Sequence, residues 1–204
     1  MAKTCQCSVP TMMASVVTAL KPCPGSFGQS QRLWFWRAGN SIASVGTLIV
    51  EATITGLIAA TGDTKILVSP YISTPETEGG EVREWGSGNE TMDGIPVTLG
   101  RNATKFTCKI VDQLGAVART LKPLECEDLE VIFVSEHNKF GHRLDGTVVK
   151  GFPIEGFSVS DRKLGGFDSP DENIITFYLK NNWSDYFTIT DPTANFDPLD
   201  KYNS

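Results

Sequence analysis

Ala103-Thr104-Lys105-Phe106-Thr107-Cys108-Lys109-Ile110-Val111 alternates apolar and polar side chains, and Leu129-Glu130-Val131-Ile132-Phe133-Val134-Ser135 is a short run rich in β-branched and aromatic residues. Both read as strands, the second bounded by the acidic stretch 125–128 and by polar His137-Asn138-Lys139. Between them, residues 112–122 place Leu114, Val117, Ala118 and Leu121 on one face at helical spacing. Asp112 is positioned to cap that helix and Pro123 to stop it.

Working outward, residues 147–150, 152–160 and 174–179 read as further short strands separated by Gly- and Asp-rich turns. Upstream, residues 48–54 and 65–69 read as two more, with Thr61-Gly62-Asp63-Thr64 as the turn before the second and residues 55–60 undecided. Short strands around one helix predict a mainly β fold, a sandwich or barrel with one flanking helix. Past Thr190, Asp191-Pro192-Thr193-Ala194-Asn195-Phe196-Asp197-Pro198 predicts an extended tail. The expected organisation is an N-terminal extension or arm over 1–46, a β-rich core over 47–190 and a C-terminal tail over 191–204.

Two segments invite a functional reading. Residues 73–94 show no apolar periodicity and carry six acidic residues together with Gly79, Gly80, Gly86 and Gly88, which predicts a long acidic flap. It is either a mobile solvated loop or an arm that orders against a neighbouring subunit, and Trp85, alone amid charge, favours keeping the second. Glu76, Glu78, Glu81, Arg83, Glu84 and Trp85 are its candidate contact residues. Leu33-Trp34-Phe35-Trp36-Arg37 is the other segment. Its rings belong to the core, or Trp34, Phe35, Trp36 and Arg37 anchor a subunit contact, since Trp and Arg are enriched at such sites.

With 204 residues, 40% hydrophobic and 21% charged, the chain holds enough apolar matter for one sizeable core. The formal charge of −6, with basic residues scattered, makes nucleic acid an unexpected partner beyond passage. The 42–60 stretch contains Glu51 and several Thr and Gly, against a membrane span, and residues 1–20 make a poor signal peptide. Five cysteines, an odd number, do not suggest a closed disulfide framework. Cys5, Cys7 and Cys23 with His137 and His142 include zinc-ligand residue types, but the spacing lacks a second knuckle, and no metal site is assigned. Asp161, Asp168, Asp171 and Glu172 fit no EF-hand and read as a turn. No dinucleotide or phosphate loop, zinc-protease helix or nucleophile elbow occurs, so neither an enzyme nor a cofactor is expected.

The order of strands, acidic flap, helix, further strands and tail resembles the tail-tube proteins of tailed bacteriophages and the related tubes of contractile secretion systems. The residues that carry the resemblance are the flap 74–94, the helix 112–122 and Gly151-Phe152-Pro153-Ile154-Glu155-Gly156-Phe157-Ser158-Val159-Ser160. It implies a structural, ring-forming virion subunit, assembled in the host cytoplasm through loops and termini, whose partners are its own copies and other virion proteins. A head decoration or connector protein, and a carbohydrate- or protein-binding β-sandwich module using Trp34, Trp36, Trp85 and Trp183, are the alternatives.

Overall fold

The computed structural model describes residues 27–86, 90, 94–111, 115–167 and 170–201. β1 (Ser30–Arg37) leads into two helices, α1 (Val45–Leu48) and α2 (Glu51–Ala59). Then come β2 (Leu67–Val68), β3 (Ser73–Gly79), the pair β4 (Val82–Trp85) and β5 (Val97–Arg101), and β6 (Thr104–Val111). After α3 (Gly115–Leu121) follow β7 (Leu129–Ser135), β8 (Phe140–Asp145), β9 (Val148–Lys150), β10 (Phe152–Val159), β11 (Glu172–Leu179) and β12 (Thr188–Thr190). The protein is mainly β, with antiparallel pairing throughout the described residues.

β1 and β7 organise the molecule because both of their faces are buried. They pair along their length, with Leu33 opposite Phe133, Trp34 opposite Ile132 and Phe35 opposite Val131. Side chains alternate across a strand. Leu33, Phe35, Val131 and Phe133 therefore enter one core, while Trp34, Trp36, Ile132 and Val134 enter another. A strand covered on both sides has no solvent face to keep polar, which is why neither segment shows a simple alternation.

The first core lies inside a barrel-like circuit. β1 pairs with β7, β7 with β10, β10 with β11, β11 with β6 and β6 with β3. The residues just before β3 return to β1, with Ser69 N donating to Leu33 O at 2.8 Å and Ile72 N to Gln31 O at 2.9 Å. Within, Phe106 stacks on Phe177 at 4.8 Å and Phe35 meets Phe157 edge-on at 5.2 Å. Each such ring removed from water contributes about 1.5–3 kcal/mol. β8, β9 and β12 fork away from the far end of β7. The second core sits under this fork, covered by Leu48 of α1, Ile54 of α2 and Phe196 near the C-terminus.

Four expectations need correction. Residues 48–54 are no strand but run from the end of α1 across Ile49 and Val50 into α2, because Ser44 caps α1, its Oγ accepting from Thr47 N at 3.3 Å, and because Leu48 and Ile54 are buried against the second core. Tertiary packing there outweighs β-branched propensity. The long acidic flap is also not found as a loop: residues 73–79 form β3 against β6 and residues 82–85 form β4 against β5. An edge strand can carry Glu on an exposed face, so acidity alone did not mark a loop. The 30–37 stretch, expected within an N-terminal arm, is a central strand. The 191–201 stretch, expected as an extended tail, folds back instead. Phe196 packs 5.9 Å from Phe140, the turn Pro198–Asp200 follows, and Leu199 O accepts from Arg32 Nε at 2.7 Å and from Tyr71 Oη at 3.2 Å.

Pro123 does not end the helical region; it enters a 3-10 turn, Lys122–Cys126, that continues α3. The predicted cap at Asp112 and the contact at Leu114 lie outside the described residues. β8 and β12 were missed, because Gly141-His142-Arg143 and Thr188-Ile189-Thr190 are too short or too polar to stand out.

Candidate assembly surfaces

β4 and β5 pair with each other and, among the described residues, with no other strand. In register, Trp85 lies opposite Val97 and Val82 opposite Arg101, with a bulge between Arg83 and Glu84 where Gly100 takes a φ of +131°. Leu99, between Thr98 and Gly100, is the extra residue of this bulge and has no partner on β4. Exposed on this ribbon are Val82 (44%), Trp85 (55%), Val97 (51%) and Leu99 (58%), followed by Ile95 (66%) next to β5. A two-stranded ribbon is marginal by itself, and Trp85 and Val97, directly opposite each other, put exposed apolar side chains on one of its faces while Val82, three residues from Trp85, falls on the other; exposed apolar groups of this kind mark a contact site. Reading the sequence singled out Trp85 but missed its cross-strand partner, although Val97-Thr98-Leu99 carried the alternation that could have found it.

The acidic residues near Trp85 remain at the surface: Glu76, Glu78, Glu81 and Glu84 are exposed, as is Arg83. Glu78 stands opposite Lys105 and Glu76 opposite Thr107 in the β3–β6 register. Trp34, Phe35 and Trp36 lie elsewhere, at 1%, 1% and 4% exposure, inside the two cores. As a subunit-contact cluster this triplet is corrected: rings buried within one chain have no surface left to offer another. The structure separates them from the β4–β5 ribbon and keeps only Arg37 of that segment at the surface. Arg37 pairs with Asp63 and, at 2.7 Å, with Glu127, and these carboxylates hold its pKa above the ordinary value, Glu127 most strongly.

Two buried polar arrangements tie the sheets together. Arg32 spans the β1 face to the C-terminal turn, with Nη1 donating to Ser69 O at 2.8 Å and its guanidinium 3.9 Å over the Tyr71 ring. His142 on β8 has no exposed surface, with Nε2 2.8 Å from Thr190 Oγ1 on β12 and Nδ1 3.3 Å from Arg143 O. The carbonyl can only accept, so Nδ1 carries the proton and Nε2 accepts from the Thr190 hydroxyl. Burial pushes the His142 pKa below its ordinary value.

Of the residues considered as metal ligands, Cys5, Cys7 and Cys23 lie outside the described residues, as does Asp168. His137 is on the surface beside Glu136, apart from buried His142. Asp161 pairs with Lys122, Asp171 with Arg162, and Glu172 with both Lys109 and Lys163. Cys108 is buried in the barrel, which pushes its pKa up to about 12, while Cys126 is exposed. Among the described residues no three His, Cys, Asp or Glu side chains converge as ligands would, and no helix is long and apolar enough to cross a membrane.

No family model matches the chain, and no curated relative does. Among solved structures, it is similar to a chain in the tail of an empty GTA particle with C6 symmetry, at TM-score 0.36 and 11% identity, over 65% of this chain and 89% of that one. A chain from the virion of a native gene transfer agent particle gives TM-score 0.35 and 13% identity over 58% and 84%. A chain of the six-fold symmetrised baseplate of an anti-feeding prophage gives TM-score 0.35 and 8% identity over 85% and 99%.

Proposed function

We propose that the protein is a structural subunit of a bacteriophage particle, tail-tube-like and ring-forming, that assembles with its own copies and with other virion proteins. The observation that carries this reading is the β4–β5 ribbon. It presents Trp85, Val97 and Leu99 to solvent and is bonded to no other strand among the described residues. Such a ribbon is completed when a neighbour covers its apolar side. A patch on one surface that meets a different surface of the next copy makes a heterologous contact, which closes into rings or stacks. The rigid barrel behind it supports that role.

The exposed carboxylates of Glu76, Glu78, Glu81 and Glu84 add a second element: on the wall of a tube they would repel DNA phosphates and let a genome pass without being held. The alternative of a carbohydrate-binding module is weakened by the burial of Trp34 and Trp36, which removes two of its four stacking candidates.

Electron microscopy and size-exclusion chromatography of the purified full chain test the assembly reading. Rings or tubes are expected for the wild type, and monomers of unchanged thermal stability for Trp85→Ser combined with Leu99→Asp. A wild-type chain that stays monomeric at every concentration would overturn it. For the passage role, replacing the four glutamates by Gln is expected to slow genome ejection, and unchanged ejection counts against it.

A further inference from the structure

Beyond the bond from Ile72 N to Gln31 O, β1 and β3 part company. β3 goes on to pair with β6, and its other edge meets no strand among the described residues. The gap is a cleft of about 210 Å³, lined by Phe27, Pro75, Phe106, Phe133, Trp183 and Phe187. Its floor is the barrel interior, and Trp183 and Phe187 close one side, packed on Phe133 and Phe152 at 5.5–6.2 Å. This slot has two chemical needs at once. The open strand edge requires a backbone partner, and the rings require apolar side chains.

The chain itself arrives at this slot. Phe27, where the continuous description begins, sits edge-on to Phe187 with centroids 5.1 Å apart. Upstream, Met12-Met13-Ala14-Ser15-Val16-Val17-Thr18-Ala19-Leu20 is the apolar run nearest in sequence, and no charged residue occurs from position 4 to position 20. Val16, Val17 and Thr18 suit a strand, and the methionines suit contact with aromatic rings. Residues 21–26 separate the run from Phe27, and Pro22, Pro24 and Gly25 among them favour a reversal of direction. Six extended residues span up to ~20 Å, enough to bring the run back beside β3.

We propose that residues 12–20 of the same chain add a strand to the free edge of β3 and seat their apolar side chains in the aromatic cleft. A segment without charges loses no ionic solvation on entering. It also covers an edge that would otherwise recruit strands from other molecules.

Photo-methionine incorporated into the full chain, prepared as an equal mixture of ¹⁴N- and ¹⁵N-labelled protein, tests this directly. Irradiation is expected to link positions 12 and 13 to peptides carrying residues 75–77 or 183–187 within one isotopic copy. Absence of links to those peptides, or links only between differently labelled copies, would overturn it. Hydrogen exchange is the second measurement. Val16→Pro, which blocks strand pairing, is expected to speed exchange of the outward β3 amides about tenfold or more while β7 amides keep their rates. Unchanged β3 exchange overturns the proposal, and neither measurement depends on whether rings form.

Discussion

Trp36 Nε1 donates to Glu130 Oε2 at 3.2 Å, from a position directly opposite it in the β1–β7 register. The same oxygen accepts from Gly151 N at 3.1 Å, so a carboxyl group on a residue only 5% exposed is held by one donor on β1 and another between β9 and β10. A Cβ on Gly151 would come within 2.7 Å of Glu130 Cβ and 3.0 Å of Val131 N, which leaves glycine as the residue that fits.

Trp36→Phe keeps most of the buried ring but removes one donor from a buried carboxyl oxygen. Urea unfolding is expected to show a loss of about 1–3 kcal/mol. Glu130→Gln keeps an acceptor oxygen for the same donors and is expected to cost less than Trp36→Phe.

Arg32 joins the first strand to the C-terminal turn through Leu199 O and Ser69 O. Replacing it with Met retains apolar bulk and removes charge-assisted donors. Roughly 2–4 kcal/mol of stability should be lost. Limited proteolysis should then cut first near residues 191–201, because the turn loses its anchor; an unchanged cleavage pattern would contradict the docking role.

The pH dependence follows from His142. Its folded pKa lies below the ordinary 6.5 because the ring is buried, so the unfolded chain binds more protons at this site between the two values. Its contribution is fully present above about pH 6.5 and is lost as pH falls toward the folded value. Thermal denaturation should therefore show a midpoint that drops between pH 7.5 and 5.5, with a shallower drop in His142→Gln. The carboxylates of Asp145, Asp161 and Glu172, held below their ordinary values by Lys150, Lys122 and Lys109, act in a separate window. Their contribution is present above pH 3.8–4.5 and fades as pH drops through the folded values.

Cys126 and Cys108 should differ in reactivity. A thiol held at about pKa 12 inside the barrel offers almost no thiolate at neutral pH, whereas Cys126 is exposed. Mass-mapped alkylation at pH 8 is expected to modify Cys126 within minutes and Cys108 only after unfolding. Equal rates would show that the barrel opens readily.

Local pattern sufficed for the mainly β class, for the strand 129–135, and for strands near 104–111, 152–159 and 172–179. In these, β-branched and aromatic residues dominate, or polar and apolar positions alternate over enough residues to show the period. The helix at 115–121 was legible for a similar reason. Tertiary structure decided the rest. Nothing in residues 48–54 taken alone distinguishes a strand from helices that lie over a core supplied by Trp34, Ile132 and Phe140. The glutamates of 76–84 look like a loop until β6 and β5 arrive to pair with them. Whether Leu33-Trp34-Phe35-Trp36 faces solvent or two cores depends on β7, almost a hundred residues later. Short-range periodicity reports the face an element needs to bury, but which partner covers it is settled by long-range contacts that no local stretch contains.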